Sequence, residues 1–218
     1  MTVTATTLTR AAGAAAVAAG AIFIGVQIGH PHVDVDSIRT TELAVRNTLK
    51  LLMAALALVG ITGLYLSQIR RNGVVGLIGY VVLAFGYLLI IGTTYVSGYV
   101  LPSIADTSPG YVRDVVEAAT GGHPTGDIGT LGTILKVQGF AYLAGGLLLG
   151  IALFRARVLA RWATVLLAVG GLVSAALAVA PDSLYRLLAY PNGIAMIALG
   201  YSLWRTTTSV RQPVAVGS

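Results

Sequence analysis

The sequence predicts an all-α integral membrane protein with six transmembrane helices, and three observations support this. Of its 218 residues 56% are hydrophobic and only 10% are charged, against about 25% charged in soluble domains. The apolar residues fall in six runs, each close to the about 20 residues that cross a bilayer. Arginines and acids alternate between the connecting segments. We therefore expect one transmembrane domain at 1–205 and a disordered cytoplasmic tail at 206–218.

The first two predicted spans lie at about 8–29 and 51–69. The first ends at His30-Pro31. Its short cationic start also resembles a secretory signal, but the long apolar run without a small-residue cleavage site favours a retained helix. The second is extended outward by a helical ramp whose charged residues recur at every fourth position and share one face: Glu42, Arg46 and Lys50.

The third predicted span covers about 74–101 and is closed by Pro102. The following segment is too polar to cross a bilayer. Within it, Ser108-Pro109 has the pattern of an N-cap followed by proline at the first helical position, and Gly121-Gly122 supplies a stop. With an apolar stripe between them, these residues predict a short amphipathic helix at 109–119, lying on the membrane surface or over the mouth of the bundle.

The last three predicted spans lie at about 134–154, 163–180 and 184–204. In the fifth, small residues recur every four positions from Gly170, a pattern that lets helix backbones approach closely. In the sixth, Tyr190-Pro191-Asn192-Gly193 interrupts the apolar run. Such a break is either a hinge or binding site, or a static kink tucked between helices.

The distribution of charge predicts the orientation. Eight arginines fall on one side of the predicted membrane: Arg10, Arg70, Arg71, Arg155, Arg157, Arg161, Arg205 and Arg211. All eight acids fall on the other side. The positive-inside rule therefore places both termini in the cytoplasm, in the cell membrane. The net charge of +6 is explained without nucleic acid.

Polar side chains near the outer surface predict an outward-facing pocket. Ionisable groups at that depth tend to face the bundle interior or a watery cavity. The alternative is that the cations only snorkel to lipid phosphates. The primary hypothesis is a pocket that binds an amphipathic or anionic small molecule or lipid through eight residues: Arg46, Lys50, Thr94, Tyr95, Lys136, Gln138, Arg186 and Asn192.

A second hypothesis is metal handling on the outer face. Histidines and acids stand at alternate positions after the first span, and the remaining histidine lies in the second outer loop. These N and O donors suit Zn, Cu or Ni, but ordinary loop residues explain them equally. No cofactor is predicted, and a divalent metal would use His30, His32, Asp34, Asp36, His123 and Asp127.

A third hypothesis is an integral-membrane lipid or isoprenoid enzyme that works by terpene-cyclase-like acid catalysis. Such chemistry needs a carboxylic acid held protonated in an apolar site. The chain contains no cysteine, which excludes thiolate chemistry. Whether the protein is an enzyme stays open, and the acids that would serve are Glu42, Asp114, Glu117 and Asp182.

Five segments resemble small six-span actinobacterial membrane proteins of a family whose function is unknown, the 4386-like type: His30-Pro31, 63–68, 76–80, 153–162 and 199–205. The resemblance covers most of the six predicted spans and rests on interfacial turn residues. It implies a six-helix fold and supplies no catalytic residues.

Overall fold

The computed structural model describes residues 3–31, 33–176 and 189–209, and among these residues there are helices and turns but no β-strand. The all-α prediction is confirmed. A 3-10 turn (Ser37–Arg39) precedes the second helix, and a π-helical turn (Val96–Val100) joins the third helix to the fourth. The helices are α1 (Ala5–Gly25), α2 (Thr41–Leu66), α3 (Ile69–Tyr95), α4 (Leu101–Ile104), α5 (Pro109–Ala119), α6 (Thr130–Ala156), α7 (Arg161–Ala176) and α8 (Ala189–Ser209).

Within the described ranges, four helices are long and apolar enough to cross a bilayer. They are α1, α2, α3 with its continuation to Ile104, and α6. A shorter apolar helix lies at Arg161–Gly170. Length and composition of this kind are typical of a membrane protein.

The long helices pack into a closed ring. The main contacts follow the order α1, α2, α3, α6, α7, α8 and back to α1, and α2 also contacts α8. Neighbours run antiparallel, since Gly79 faces Leu149 while Gly86 faces Tyr142. One end of the ring, here called the arginine end, contains the turns at 67–68 and 157–160. The opposite end, here called the loop end, contains the connections at 26–40 and 105–129.

Glycines bring α3 and α6 into close contact. A Cβ atom at Gly145 would lie 2.5 Å from Leu83 Cα, and one at Gly79 would lie 2.8 Å from the carbonyl carbon of Leu148. Contacts this short leave no room for a side chain, so the two backbones meet directly, as small residues permit in membrane helices. This contact fixes the walls of the cavity described below.

Pro102 does not end the third helix as predicted. The helical path continues through α4 because the π-helical turn lies directly before the proline. In that turn the Leu101 N–H bonds to Val96 O, five residues back. The wider turn accommodates the proline, which has no N–H and would clash in a regular helix.

Another boundary differs from the sequence prediction. Helix α1 ends at Gly25, four residues earlier than expected, and Gly29 adopts a positive φ of 60°. Pro191 is helical and lies in α8, near the start of the described part of that helix. The predicted span at 184–204 begins outside the described residues.

Helix α5 occupies the residues predicted for the amphipathic helix. Pro109 is in its first turn, although Ser108 makes no capping bond with its side chain. Val112, Val115 and Val116 are buried as the stripe predicts. Asp114 is also buried, which the apolar pattern does not predict.

Candidate ligand pocket

A cavity of about 330 Å³ lies at the loop end, between α2, α3, the π-helical turn, α5 and α6. Its volume is at the lower end of the range for small-molecule sites, about 300–1,000 Å³. The polar part of its lining includes Gln27, His30, Asn47, Lys50, Thr93, Thr94 and Gln138. The apolar part includes Val33, Leu101, Val115, Val116, Leu131 and Leu135.

Lys50 and His30 form a polar pair on the wall of this cavity. Lys50 Nζ lies 3.0 Å from His30 Nε2, and His30 Nδ1 lies 2.8 Å from Pro31 O. An ammonium can only donate, so Nε2 is the acceptor and the ring proton is on Nδ1, which donates to the carbonyl. The histidine is thus neutral in this arrangement. Among the described lining residues, Lys50 carries the formal charge.

Gln138 is held in place from across the α3–α6 contact. Thr93 Oγ1 donates to Gln138 Oε1 at 2.5 Å, and it also lies 3.0 Å from Leu89 O in its own helix. The bond occupies the amide oxygen of Gln138 and leaves the Nε2 amino group as a donor. The cavity therefore combines one positive charge with amide and hydroxyl groups.

Three residues predicted to bind a ligand line the cavity: Lys50, Thr94 and Gln138. Two others lie elsewhere on the surface. The Tyr95 side chain is 55% exposed and packs on Tyr99 with ring centroids 5.2 Å apart, and Lys136 is exposed on α6. Arg186 lies outside the described residues.

Arg46 holds the end of α1 instead of lining the cavity. Its Nη1 atom donates to Val26 O at 2.9 Å and Ile28 O at 3.1 Å, and its Nη2 atom donates to Gly29 O at 3.0 Å. It also pairs with Glu42 one turn away, at 2.8 Å. Carbonyl groups beyond a helix C-terminus lack hydrogen-bond donors within the helix. The guanidinium group of Arg46 supplies donors to them.

Asn192 lies in the bundle interior, away from the cavity. Its side chain is only 3% exposed and borders a small cleft formed with Leu83, Tyr87, Tyr142 and Leu167. Within the part of the chain that the structure describes, its Nδ2 atom has no hydrogen-bond partner.

The described residues among those predicted to hold a metal form no cluster of three ligands. His30 uses both ring nitrogens as described above. Asp34 Oδ1 accepts from Ser37 N at 2.7 Å, and Asp127 Oδ1 accepts from Gly129 N at 2.7 Å. His123 is exposed. No group of three histidines or acids placed to hold a metal occurs in 3–31, 33–176 or 189–209. His32 lies outside these ranges, as Asp182 does.

Two of the acids proposed for catalysis make contacts outside the cavity. Glu42 pairs with Arg46. Asp114 is buried, and its Oδ1 atom accepts from Thr125 N at 3.3 Å and Thr125 Oγ1 at 3.2 Å. Glu117 is half-buried on α5 and is the third candidate acid that the structure describes. None of the three lines the cavity.

Helix α5 forms the outer wall of the cavity, and two contacts anchor it. Asp114 ties it to the following loop through Thr125. Arg39, before α2, pairs with Asp106 in the turn ahead of α5. Beneath α5 a separate apolar cluster includes Ile38, Leu43, Leu101, Val112 and Ile128. The wall is therefore fixed by both polar and apolar contacts.

The sequence pattern missed most of the polar lining. It predicted His30 for a metal and not as the partner of Lys50, and it did not predict the other five polar residues of the lining: Gln27, Asn47, Thr93, Ser97 and Thr120. Asn47 is buried against Gly98, where a Cβ would lie 2.9 Å from Asn47 Cβ. The available signal was that Asn47 lies one helical turn from Leu43 on one side and from Leu51 on the other, which places it on an apolar face of α2. Comparison with known protein families, with curated proteins and with solved structures gave no match. The resemblance to the 4386-like family stays a prediction.

Proposed function

We propose that the protein is a six-span membrane protein that binds a small amphipathic anion in its loop-end cavity. The observation that carries this proposal is the Lys50 ammonium on the wall of a cavity with an apolar side. A positive charge in a cavity that is lined partly by polar and partly by apolar side chains favours a ligand with one negative group and an apolar body. Carboxylate and phosphate monoester heads both fit this description.

The proposed topology has both termini in the cytoplasm and the cavity facing outward. Support comes from the ring of six helices, in which α7 and α8 complete the bundle begun by the four long apolar helices. The arginine turns share one end of this ring. Under the positive-inside rule that end is cytoplasmic, which puts α5 and the cavity on the outer side.

The size of the cavity favours a small ligand. Its volume of about 330 Å³ is at the lower end of the range for small-molecule sites, about 300–1,000 Å³. A medium-chain carboxylate such as octanoate, with one charged head and one short apolar chain, is therefore a suitable probe.

Binding of octanoate and of octanol to the full chain in nanodiscs tests the proposal, because the two compounds share an apolar chain and differ in charge. A hydrogen bond to a charged group contributes about 1.5–3 kcal/mol, so octanoate should bind about 10- to 150-fold more tightly. Lys50→Met should abolish this preference, and Lys50→Arg should retain it. Titration calorimetry gives both affinities.

Lys136→Met is the matched control, because Lys136 is an exposed lysine outside the cavity. It should leave the preference for octanoate unchanged. Equal binding of octanoate and octanol to the unaltered protein would refute an anion site. An equal loss in Lys136→Met and Lys50→Met would show that the anion is held by surface charge.

A further inference from the structure

We propose a second site, at the arginine end, where the turn between α6 and α7 binds the headgroup of an anionic phospholipid. It is distinct from the cavity and uses different residues. The site consists of Arg155, Arg157 and Arg161 with the exposed face of α7 that begins at Trp162. It goes beyond the proposed function because it concerns a structural lipid at the opposite end of the bundle.

The backbone of this turn is fixed in an unusual conformation. Arg157 follows α6 with φ 57° and ψ 28°, and it is the one non-glycine residue with positive φ among those described. Glycine is the usual residue at this position of a helix end. The left-handed backbone conformation is less favourable for arginine than for glycine. We therefore expect the arginine side chain to have a function that glycine could not provide.

Neighbouring contacts hold the turn in place. Ala160 N donates to Ser202 Oγ on α8 at 3.2 Å. Leu159 is buried beneath the turn. The turn is thus bound to the bundle on one side, while its three arginines lie exposed on the other.

The three guanidinium groups have no carboxylate partner in the described chain, where the ion pairs are those of Arg39 and Arg46. Arg161 instead stacks on Phe154, with Cζ 4.3 Å from the ring centroid. Stacking of this kind holds the guanidinium plane and leaves its N–H edge for an anion. Two parallel N–H groups of a guanidinium match the spacing of two phosphate oxygens.

An apolar strip beside the arginines identifies a lipid as the source of the phosphate. Trp162, Val165 and Val169 are exposed on α7, at 58%, 45% and 41%, and their spacing places them on one face of the helix. Tryptophan is enriched at the level of lipid headgroups. The arginines thus meet the phosphate while the strip runs along the acyl chains.

The test is the binding of short-chain phosphatidylglycerol and phosphatidylcholine to the full chain in neutral detergent, read as lipid adducts by native mass spectrometry. Each arginine near a membrane surface contributes about five-fold in affinity for anionic lipid. Arg155→Gln with Arg161→Gln should therefore lower phosphatidylglycerol binding about 25-fold and leave phosphatidylcholine unchanged. Glycerol phosphate, which has no acyl chains, should not compete.

Arg157→Gly separates lipid binding from folding, because glycine adopts the positive φ without strain. This variant should melt at the same temperature as the parent or higher, and it should bind phosphatidylglycerol about five-fold more weakly. Unchanged binding in Arg157→Gly overturns the proposal. Arg70→Gln with Arg71→Gln is the control for diffuse charge at the same end, and an equal loss there would also overturn it.

Discussion

Replacing Gly145 by alanine should destabilise the bundle, whereas the same change at the next residue, Gly146, should not. Both glycines lie in α6 and are buried, so the two variants share the same gain in helix propensity, about 1 kcal/mol. They differ in what the new methyl group meets. The comparison therefore isolates the contact between α3 and α6.

The expected magnitude follows from the distances. A Cβ at Gly145 would lie 2.5 Å from Leu83 Cα and 2.7 Å from Leu83 Cβ, whereas ordinary contact begins at 3.4 Å. Because the nearest atoms belong to the backbone, α3 would have to move by about 1 Å, and overpacking of this kind costs about 1–3 kcal/mol. At Gly146 the nearest atom is Leu167 O at 3.6 Å, so the methyl group fits.

Thermal unfolding in detergent measures the difference. Since 1 kcal/mol moves the melting temperature by about 2–4 °C in a chain of this length, a difference near 2 kcal/mol places Gly145→Ala about 4–8 °C below Gly146→Ala. The moved helix also carries Thr93, so Gly145→Ala should weaken octanoate binding as well. Equal melting temperatures for the two variants would refute direct backbone packing at this position.

Two further predictions concern the loop end. Asp114→Ala leaves Thr125 without its acceptor and should lower the local stability of the loop by about 1–3 kcal/mol. Hydrogen exchange in residues 120–129 should become faster, and unchanged exchange would contradict a role for Asp114 in holding the loop. Arg46→Met removes the donor to three carbonyls beyond α1 and should lower the free energy of unfolding by at least about 1.5 kcal/mol. Glu42→Gln should change it by about 0.5 kcal/mol or less. Equal effects of the two variants in thermal unfolding would contradict the assignment of Arg46 to the end of α1.

The sequence predicts the four long apolar helices of the described chain well, because their apolar runs also meet the length requirement of a bilayer. It separates the functions of Arg46 and Lys50 poorly. Both lie on one face of α2, and the pattern assigns both to the ligand. Their difference depends on where α1 ends: the helix stops at Gly25, and the freed carbonyls that follow take the guanidinium of Arg46.

The partner of Lys50 is a tertiary feature that periodicity cannot show. His30 is 20 residues away in the chain, in an irregular segment whose path depends on Gly29 and its positive φ. The sequence pattern assigns His30 to metal binding because histidine and aspartate alternate there. In the structure, the neutral ring serves as an acceptor for the ammonium instead.

The distribution of charge explains why the two ends of the molecule should bind different anions. All seven described acids lie at the loop end, and two of them neutralise Arg39 and Arg46. Lys50 is the cation on the wall of the cavity in the described chain. At the other end no acid of the described chain pairs with Arg155, Arg157 or Arg161, and under the proposal above a lipid phosphate supplies their counter-charge. The phosphate groups of the adjoining leaflet are the anions present at that depth, and binding at the turn should therefore depend on lipid composition while binding in the cavity should not.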